Sequence, residues 1–407
     1  MSKNETTAAT TDRLWTRDYI FLCVANFMMC LAFYLLVPTL PFYLSEAFGA
    51  GKAVIGTVLS CYTIAVLAVR PFSGYIADTF QRKPVYLAAY FLFVSVFCGY
   101  ILAGSLTMLI ITRIAHGLTF GMITTTSNTL IVDVLPSSRR GEGLGYYGVV
   151  NNLSMSIGPM IGLFMVEMGN FNLIFASSIM AGLVGLVFAT LAKVPGKIPN
   201  THNNVLSIDR FFLVKGIKAC CTLLLMAVPY GMTTSFIAMY AKELGMTQNT
   251  GLFFTVMAAG LIVSRIGSGK RVDRGFVTQV ITQGIIIAIA GITAEALLGL
   301  AAGVHIGLGY AVYFLAAFLV GFGYGTMFPA YNTLFINLAP NSRRATASAT
   351  YLTGWDVGMG LGMWFGGRIA EMWGLRTVYM MDIALALVAF VWFVAVAAPH
   401  FNRNKLR

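Results

Sequence analysis

The stretch GLTFGMITTTSNTLIVDVLPSSRR, residues 117–140, returns 204 positions later as GFGYGTMFPAYNTLFINLAPNSRR, residues 321–344. Gly117, Gly121, Asn128, Thr129, Leu130, Pro136, Ser138, Arg139 and Arg140 fall opposite Gly321, Gly325, Asn332, Thr333, Leu334, Pro340, Ser342, Arg343 and Arg344. Identity at that density reads as an internal repeat. A second pair supports it. Arg70-Pro-Phe-Ser-Gly74-Tyr-Ile-Ala-Asp78 and Arg265-Ile-Gly-Ser-Gly269-Lys-Arg-Val-Asp273 share the pattern R-x-x-x-G-x-x-x-D, 195 positions apart. Gly158 and Gly162 likewise match Gly362 and Gly366.

The repeated stretches are apolar, and so is most of the chain. Of 407 residues, 58% are hydrophobic and 10% charged, whereas soluble globular proteins carry about 25% charged residues. There is too little polar surface to cover this chain in water. A helix crosses the hydrocarbon core with about 20 apolar residues. Twelve segments meet that length, near 19–44, 53–77, 84–103, 106–133, 143–166, 172–192, 216–241, 250–272, 277–300, 308–336, 346–369 and 374–397. The first apolar run, Tyr19 to Phe42, is too long for a signal-peptide core of about 7–15 residues and is expected to be the first span. The expected class is therefore an all-α membrane protein, with twelve transmembrane helices in two pseudo-symmetric six-helix bundles.

The longest hydrophilic connection follows the sixth span. The expected division is a tail over 1–18, a first bundle over 19–192, a linker over 193–215, a second bundle over 216–398 and a tail over 399–407. Basic residues mark the cytoplasmic loops of membrane proteins. Twenty of the 27 lysines and arginines fall on the side of both termini, against four (Lys52, Lys242, Arg368 and Arg376) on the other. The expectation is a multi-pass protein of the cell (inner) membrane with both termini cytoplasmic. The net charge of +12 is spread over these loops, which speaks against nucleic-acid binding. The six cysteines lie in or beside apolar runs without metal-ligand spacing and read as packing residues. With no phosphate-binding glycine loop and no His/Cys/acid cluster at metal spacing, neither an enzyme nor a cofactor is expected. A receptor or scaffold would favour large soluble domains, which this sequence lacks.

Two parallel repeats of six helices enclose a chamber near the bilayer midplane. Ionisable groups at that depth are functional candidates by default, because burying them is expensive. Asp356, about 11 residues into the eleventh segment, is the leading candidate for binding a proton; Asn152 stands opposite it in the repeat. Arg113, a third of the way into the fourth segment, is expected to face the chamber, with His116 one turn further on. Glu295 and Asp382 are further proton-coupling candidates. Weaker nominations for contact with a solute are Asn26, Tyr34, Tyr230, Phe236, Tyr240, Phe328, Tyr331 and Asn332, on the first, fourth, seventh and tenth segments together with His116 and Asn152. Few fixed charges and many aromatic residues suit an amphipathic or weakly polar solute.

The segment Gly74-Tyr-Ile-Ala-Asp78-Thr-Phe-Gln-Arg82-Lys83 resembles the loop motif between helices two and three of the major facilitator superfamily. Gln81 stands where that family usually has glycine. The resemblance runs from the first segment to the twelfth. It implies that Gly74, Asp78, Arg82 and Lys83 belong to a cytoplasmic gate, with Asp133 as counter-ion for Arg82. It implies a second copy at Gly269, Asp273 and Arg274, differing in strength because Asn337 replaces the acid. Arg113 with Gly117 resembles the family's helix-four motif. Gly158, Pro159 and Gly162 resemble its antiporter motif, with Leu163 in place of a second closing glycine. The implied function is a drug:proton-antiporter-like secondary transporter, monomeric in the bilayer, exporting small amphipathic or weakly polar solutes by alternating access against protons. The alternative is a symporter or facilitator importing a sugar, organic acid or other nutrient.

Overall fold

The computed structural model describes residues 13–136, 139–194, 213–340 and 344–406, and no strand occurs among them. The first half comprises α1 (Arg17–Leu36), α2 (Leu40–Phe48), α3 (Lys52–Thr79), α4 (Arg82–Leu102), α5 (Leu106–Val134), α6 (Arg140–Glu167) and α7 (Phe171–Leu191). The second comprises α8 (Ile217–Glu243), α9 (Leu252–Asp273), α10 (Val277–Val304), α11 (Ile306–Leu338), α12 (Arg344–Trp373) and α13 (Leu375–Trp392). A π-helical turn, Phe393–Ala397, runs on into α14 (Ala398–Asn404). Residues 1–12 and 195–212, which hold most of the expected tail and linker, lie outside the described residues.

The helices begin where the sequence supplies a cap. Thr16 accepts from Tyr19 N at 3.3 Å, Ser105 from Met108 N at 3.2 Å, and Asn170 from Leu173 N at 3.1 Å. These side chains satisfy amides that a helix start leaves without partners. The first apolar run is two helices, α1 and α2, where one span is expected. The break falls at Pro38, because proline donates no amide hydrogen to the helical ladder, although Val37 before it keeps helical angles. The short α2 then ends on Gly49 at φ 60°.

Eleven spans among the described residues are long and apolar enough to cross a membrane. The twelfth long helix, α12, has 30 residues but carries Thr346, Ser348, Thr350, Thr353 and Asp356. It packs among α3, α8 and α13, so little of it needs to face lipid. Large apolar side chains such as Phe91, Ile111, Val187 and Val391 stay exposed, as expected for a surface solvated by acyl chains. The protein is a multi-pass membrane protein.

The sequence repeat is also a packing repeat. Gly158 and Gly162 of α6 lie against Tyr34 and Leu35 of α1, and Gly362 and Gly366 of α12 lie against Val228 and Met232 of α8. A Cβ on Gly158 would stand 2.6 Å from Tyr34 Cβ, so only glycine permits that crossing. Gly117 and Gly121 of α5 similarly meet α3, as Gly321 and Gly325 of α11 meet α9. The fold is thus two pseudo-symmetric six-helix bundles. They touch along α3 with α12, and less extensively along α6 with α9.

Candidate functional site: a chamber between the halves

A cavity lies between the bundles, where a fold of two helical repeats is expected to hold its solute. Helical spacing selects its lining, since residues three or four apart share a face. Phe33 and Tyr34 of α1, with Val37 just past its end, face Trp355, Asp356, Met359 and Met363 of α12 across it. Tyr62, Thr63 and Val66 of α3, Arg113 and Phe120 of α5, and Met155 and Pro159 of α6 complete the first-half wall. Tyr230, Thr234 and Ser235 of α8 with Phe254 and Met257 of α9 complete the other. The surface is aromatic and methionine-rich, which tolerates varied apolar shapes.

Two charged groups stand on this wall. Arg113 is 2% exposed, with its guanidinium 4.6 Å above the Tyr62 ring and Nη1 3.5 Å from Tyr100 Oη. Its Nε has no hydrogen-bond partner, and no carboxylate lies within salt-bridge distance of it among the described residues. Asp356 does have a partner: Arg70 Nη2 of α3 lies 2.6 Å from its Oδ2. This ion pair joins the two halves at the chamber wall.

Other nominated residues are placed elsewhere. His116 is fully buried behind the chamber, its Nδ1 2.9 Å from Tyr100 Oη. Asn26 lies in a buried network inside the first half, where Tyr147 Oη donates to its Oδ1 at 2.8 Å and its Nδ2 donates to Asn151. Asn152, the next residue along α6 from Asn151, is half-buried. Phe236 and Tyr240 are buried in the second half, Tyr240 packing on Tyr379 at 5.4 Å. Phe328 backs the wall through Trp355, with ring centroids 4.2 Å apart. Tyr331 packs on Phe393 at 5.8 Å, and Asn332 is half-buried. Glu295 is fully buried in α10, where Thr233 Oγ1 donates to its two oxygens at 3.0 and 2.9 Å. Asp382 is buried in α13, away from the chamber lining.

At the end where the described chain begins and finishes, Arg82 Nη1 lies 2.5 Å from Asp133 Oδ2, and Arg82 Nε donates to Ala77 O at 3.2 Å. Lys83 Nζ donates to Thr190 O at 3.0 Å. The surroundings of Gly74 and of the Asp78 side chain lie outside the described residues. Gly269, Asp273 and Arg274 are exposed at the end of α9. The Arg82–Asp133 pair is mostly shielded from solvent, so Arg82→Ala should lower the free energy of unfolding by about 1–3 kcal/mol. A melting curve of the purified variant checks this, and an unchanged midpoint would contradict it.

The opposite end is closed by contacts that cross between the halves. Lys52 Nζ lies 2.8 Å from Glu243 Oε1, and Lys242 Nζ donates to Glu46 Oε1 at 3.1 Å. Ala53 N donates to Glu371 Oε2, and Thr250 N and Oγ1 donate to Glu167 Oε1, all at 3.3 Å. Beneath them α3 and α12 meet at Gly56 and Gly367.

Two helical repeats around a polar-studded apolar chamber define a membrane transporter. The chain belongs to the Major Facilitator Superfamily, whose sequence model matches residues 22–348 and 295–406. It is similar to the staphylopine export protein of Staphylococcus aureus strain Mu50, with 21% identity over 353 residues, 84% of this chain and 87% of that one. It is also similar to the quinolone resistance protein NorA of Staphylococcus aureus strain MRSA252. There the identity is 29% over 153 residues, 37% of this chain and 39% of NorA. In fold it resembles a POT family transporter solved with 5-aminolevulinic acid, at a TM-score of 0.79 and 16% identity over 95% of this chain and 96% of that one. The nucleoside transporter NupG aligns at 0.72 and 15% identity, over 93% and 99% of the two chains.

Neither Arg70 as the partner of Asp356 nor the methionines were nominated from sequence. A signal for the latter was present: Trp355, Met359 and Met363 recur at four-residue intervals beside Asp356, a spacing that puts them on one helical face.

Proposed function

We propose that this chain is a proton-coupled exporter of small amphipathic or weakly polar solutes, working by alternating access. The observation that carries this reading is the Arg70–Asp356 ion pair across the chamber wall. A proton arriving on Asp356 removes its negative charge and with it the attraction that holds α3 to α12. Loss of the proton restores it. The pair therefore ties the occupancy of one carboxyl group to the relation between the halves, which is the coupling an antiporter needs.

Export is favoured by the similarity to the staphylopine export protein and to NorA, and by the Gly158-Pro159 turn of α6 against α1. In this reading the bundles over 19–192 and 216–398 rock about the chamber in the cell (inner) membrane, with the termini in the cytoplasm. The Arg82–Asp133 end forms the cytoplasmic gate, together with Gly74, Asp78 and Lys83 and, in the second half, Gly269, Asp273 and Arg274. The protein works as a monomer. Arg113 tunes the chamber's charge, while Glu295 and Asp382 stay subsidiary because they lie off its lining.

The test is flux in proteoliposomes loaded with a fluorescent amphipath under pH gradients of either sign. Solute movement is expected to speed up several-fold when protons run against it. Flux indifferent to both gradients would remove proton coupling, and acceleration only when protons run with the solute would replace export by symport.

A further inference from the structure

The chamber lining carries one guanidinium group, Arg113, and one carboxyl group, Asp356, which Arg70 meets from outside the lining. Arg70 is neutralised by Asp356 at 2.6 Å. Arg113 has no such neighbour among the described residues, although it is 2% exposed and part of the lining. Tyr62 offers it a ring face at 4.6 Å and Tyr100 a hydroxyl at 3.5 Å. Both contacts are weaker than a carboxylate, and the buried Nε has no acceptor at all. An isolated charge inside the membrane is costly unless something pairs with it. The wall around it consists of rings and methionine side chains, which accept an apolar body but supply no anion.

From this we infer that the solute itself carries the missing anion: the chamber takes amphipathic carboxylates, the carboxylate pairing with Arg113 and the apolar body lying against Phe120, Trp355 and Met359. The inference rests on the transport reading only in placing the solute in this chamber. Arg113 suits the task geometrically, because a guanidinium binds a carboxylate through two parallel donors. Asp356 makes the opposite preference unfavourable. A cationic solute would compete with Arg70 for the one carboxylate on the lining and place a second positive charge beside the unpaired Arg113.

The test is equilibrium binding by calorimetry to the purified full chain in lipid nanodiscs, with empty nanodiscs subtracted. The probes are 2-naphthoate, 2-naphthylmethylammonium and 2-naphthylmethanol, which share one ring system and differ in charge. The carboxylate is expected to bind about tenfold or more tightly than either of the others. Arg113→Gln should reduce it to the level of the alcohol, and Arg113→Lys should keep part of the preference. An ammonium probe that binds as well as the carboxylate, or three equal affinities, would overturn the inference. Were Arg113→Gln unstable, the wild-type probe series alone still decides. No gradient is imposed, so failure of proton coupling or of export leaves this outcome untouched, and the reverse holds for the flux assay.

Discussion

Replacing Asp356 with asparagine is expected to abolish acceleration by a proton gradient and to slow solute flux about tenfold or more, because the proposed function makes this carboxyl the proton-binding group. The same change leaves Arg70 without its partner. Breaking a fully buried pair costs about 3–5 kcal/mol. Here about one fifth of each side chain still meets solvent, and the expected loss is nearer about 1–3 kcal/mol. The double variant Arg70→Gln with Asp356→Asn removes both charges together. It should recover most of the lost melting temperature while transport stays uncoupled. A double-mutant cycle on thermal stability, paired with flux assays, separates the two effects. Single and double variants of equal stability would show that the pair contributes nothing to the fold. Retained gradient response in Asp356→Asn would move coupling to another carboxyl group, with Glu295 next in line.

A comparably large effect is expected at Gly56. A Cβ there would stand 3.1 Å from the Cα of Gly367 and closer still to the carbonyl oxygen of Met363. Both obstacles are backbone and cannot swing aside. Gly56→Leu should wedge α3 from α12 and hold the halves apart at the end bearing Lys52 and Glu243. Transport then stops because one of the two alternating states is lost. Cysteine introduced at Thr63, on the chamber wall, reports the outcome through an impermeant maleimide. Labelling from the Lys52 side should rise several-fold in the Gly56→Leu background, as a blocked closure requires. Full transport with unchanged labelling would mean that the crossing relaxes around the larger side chain.

Much of the architecture was legible in the sequence because hydrophobic length and glycine spacing are one-dimensional signals. The repeat at Gly117 and Gly321 foretold that α5 and α11 play equivalent parts, and the packing of each on its neighbour through glycine agrees. The split of the first apolar run escaped notice although Pro38 lay in view, since composition alone made one long span. The chamber was harder to read. Depth can be counted along a helix, and it led to Arg113 and Asp356. Which way a membrane helix turns its faces depends on its neighbours, and apolar residues surround these helices on both lipid and protein sides. So Tyr240 and Tyr331, aromatic and at a plausible depth, sit in bundle cores, while Trp355 and Met359 line the chamber. The partnership of Arg70 with Asp356 needs two helices from different halves to meet, and nothing along either one announces it.

The closed end has a consequence for the membrane's surroundings. Lys242–Glu46 and Lys52–Glu243 lie partly in water, where dissolved ions screen attraction over a length of about 8 Å at physiological strength and about 3 Å at 1 M. Brine outside the bilayer would loosen that seal, whereas the Arg70–Asp356 link deeper in the protein would hardly feel it. The Lys52–Glu243 end is thus the salt-responsive one, and how tightly it closes shifts with the medium bathing that side alone.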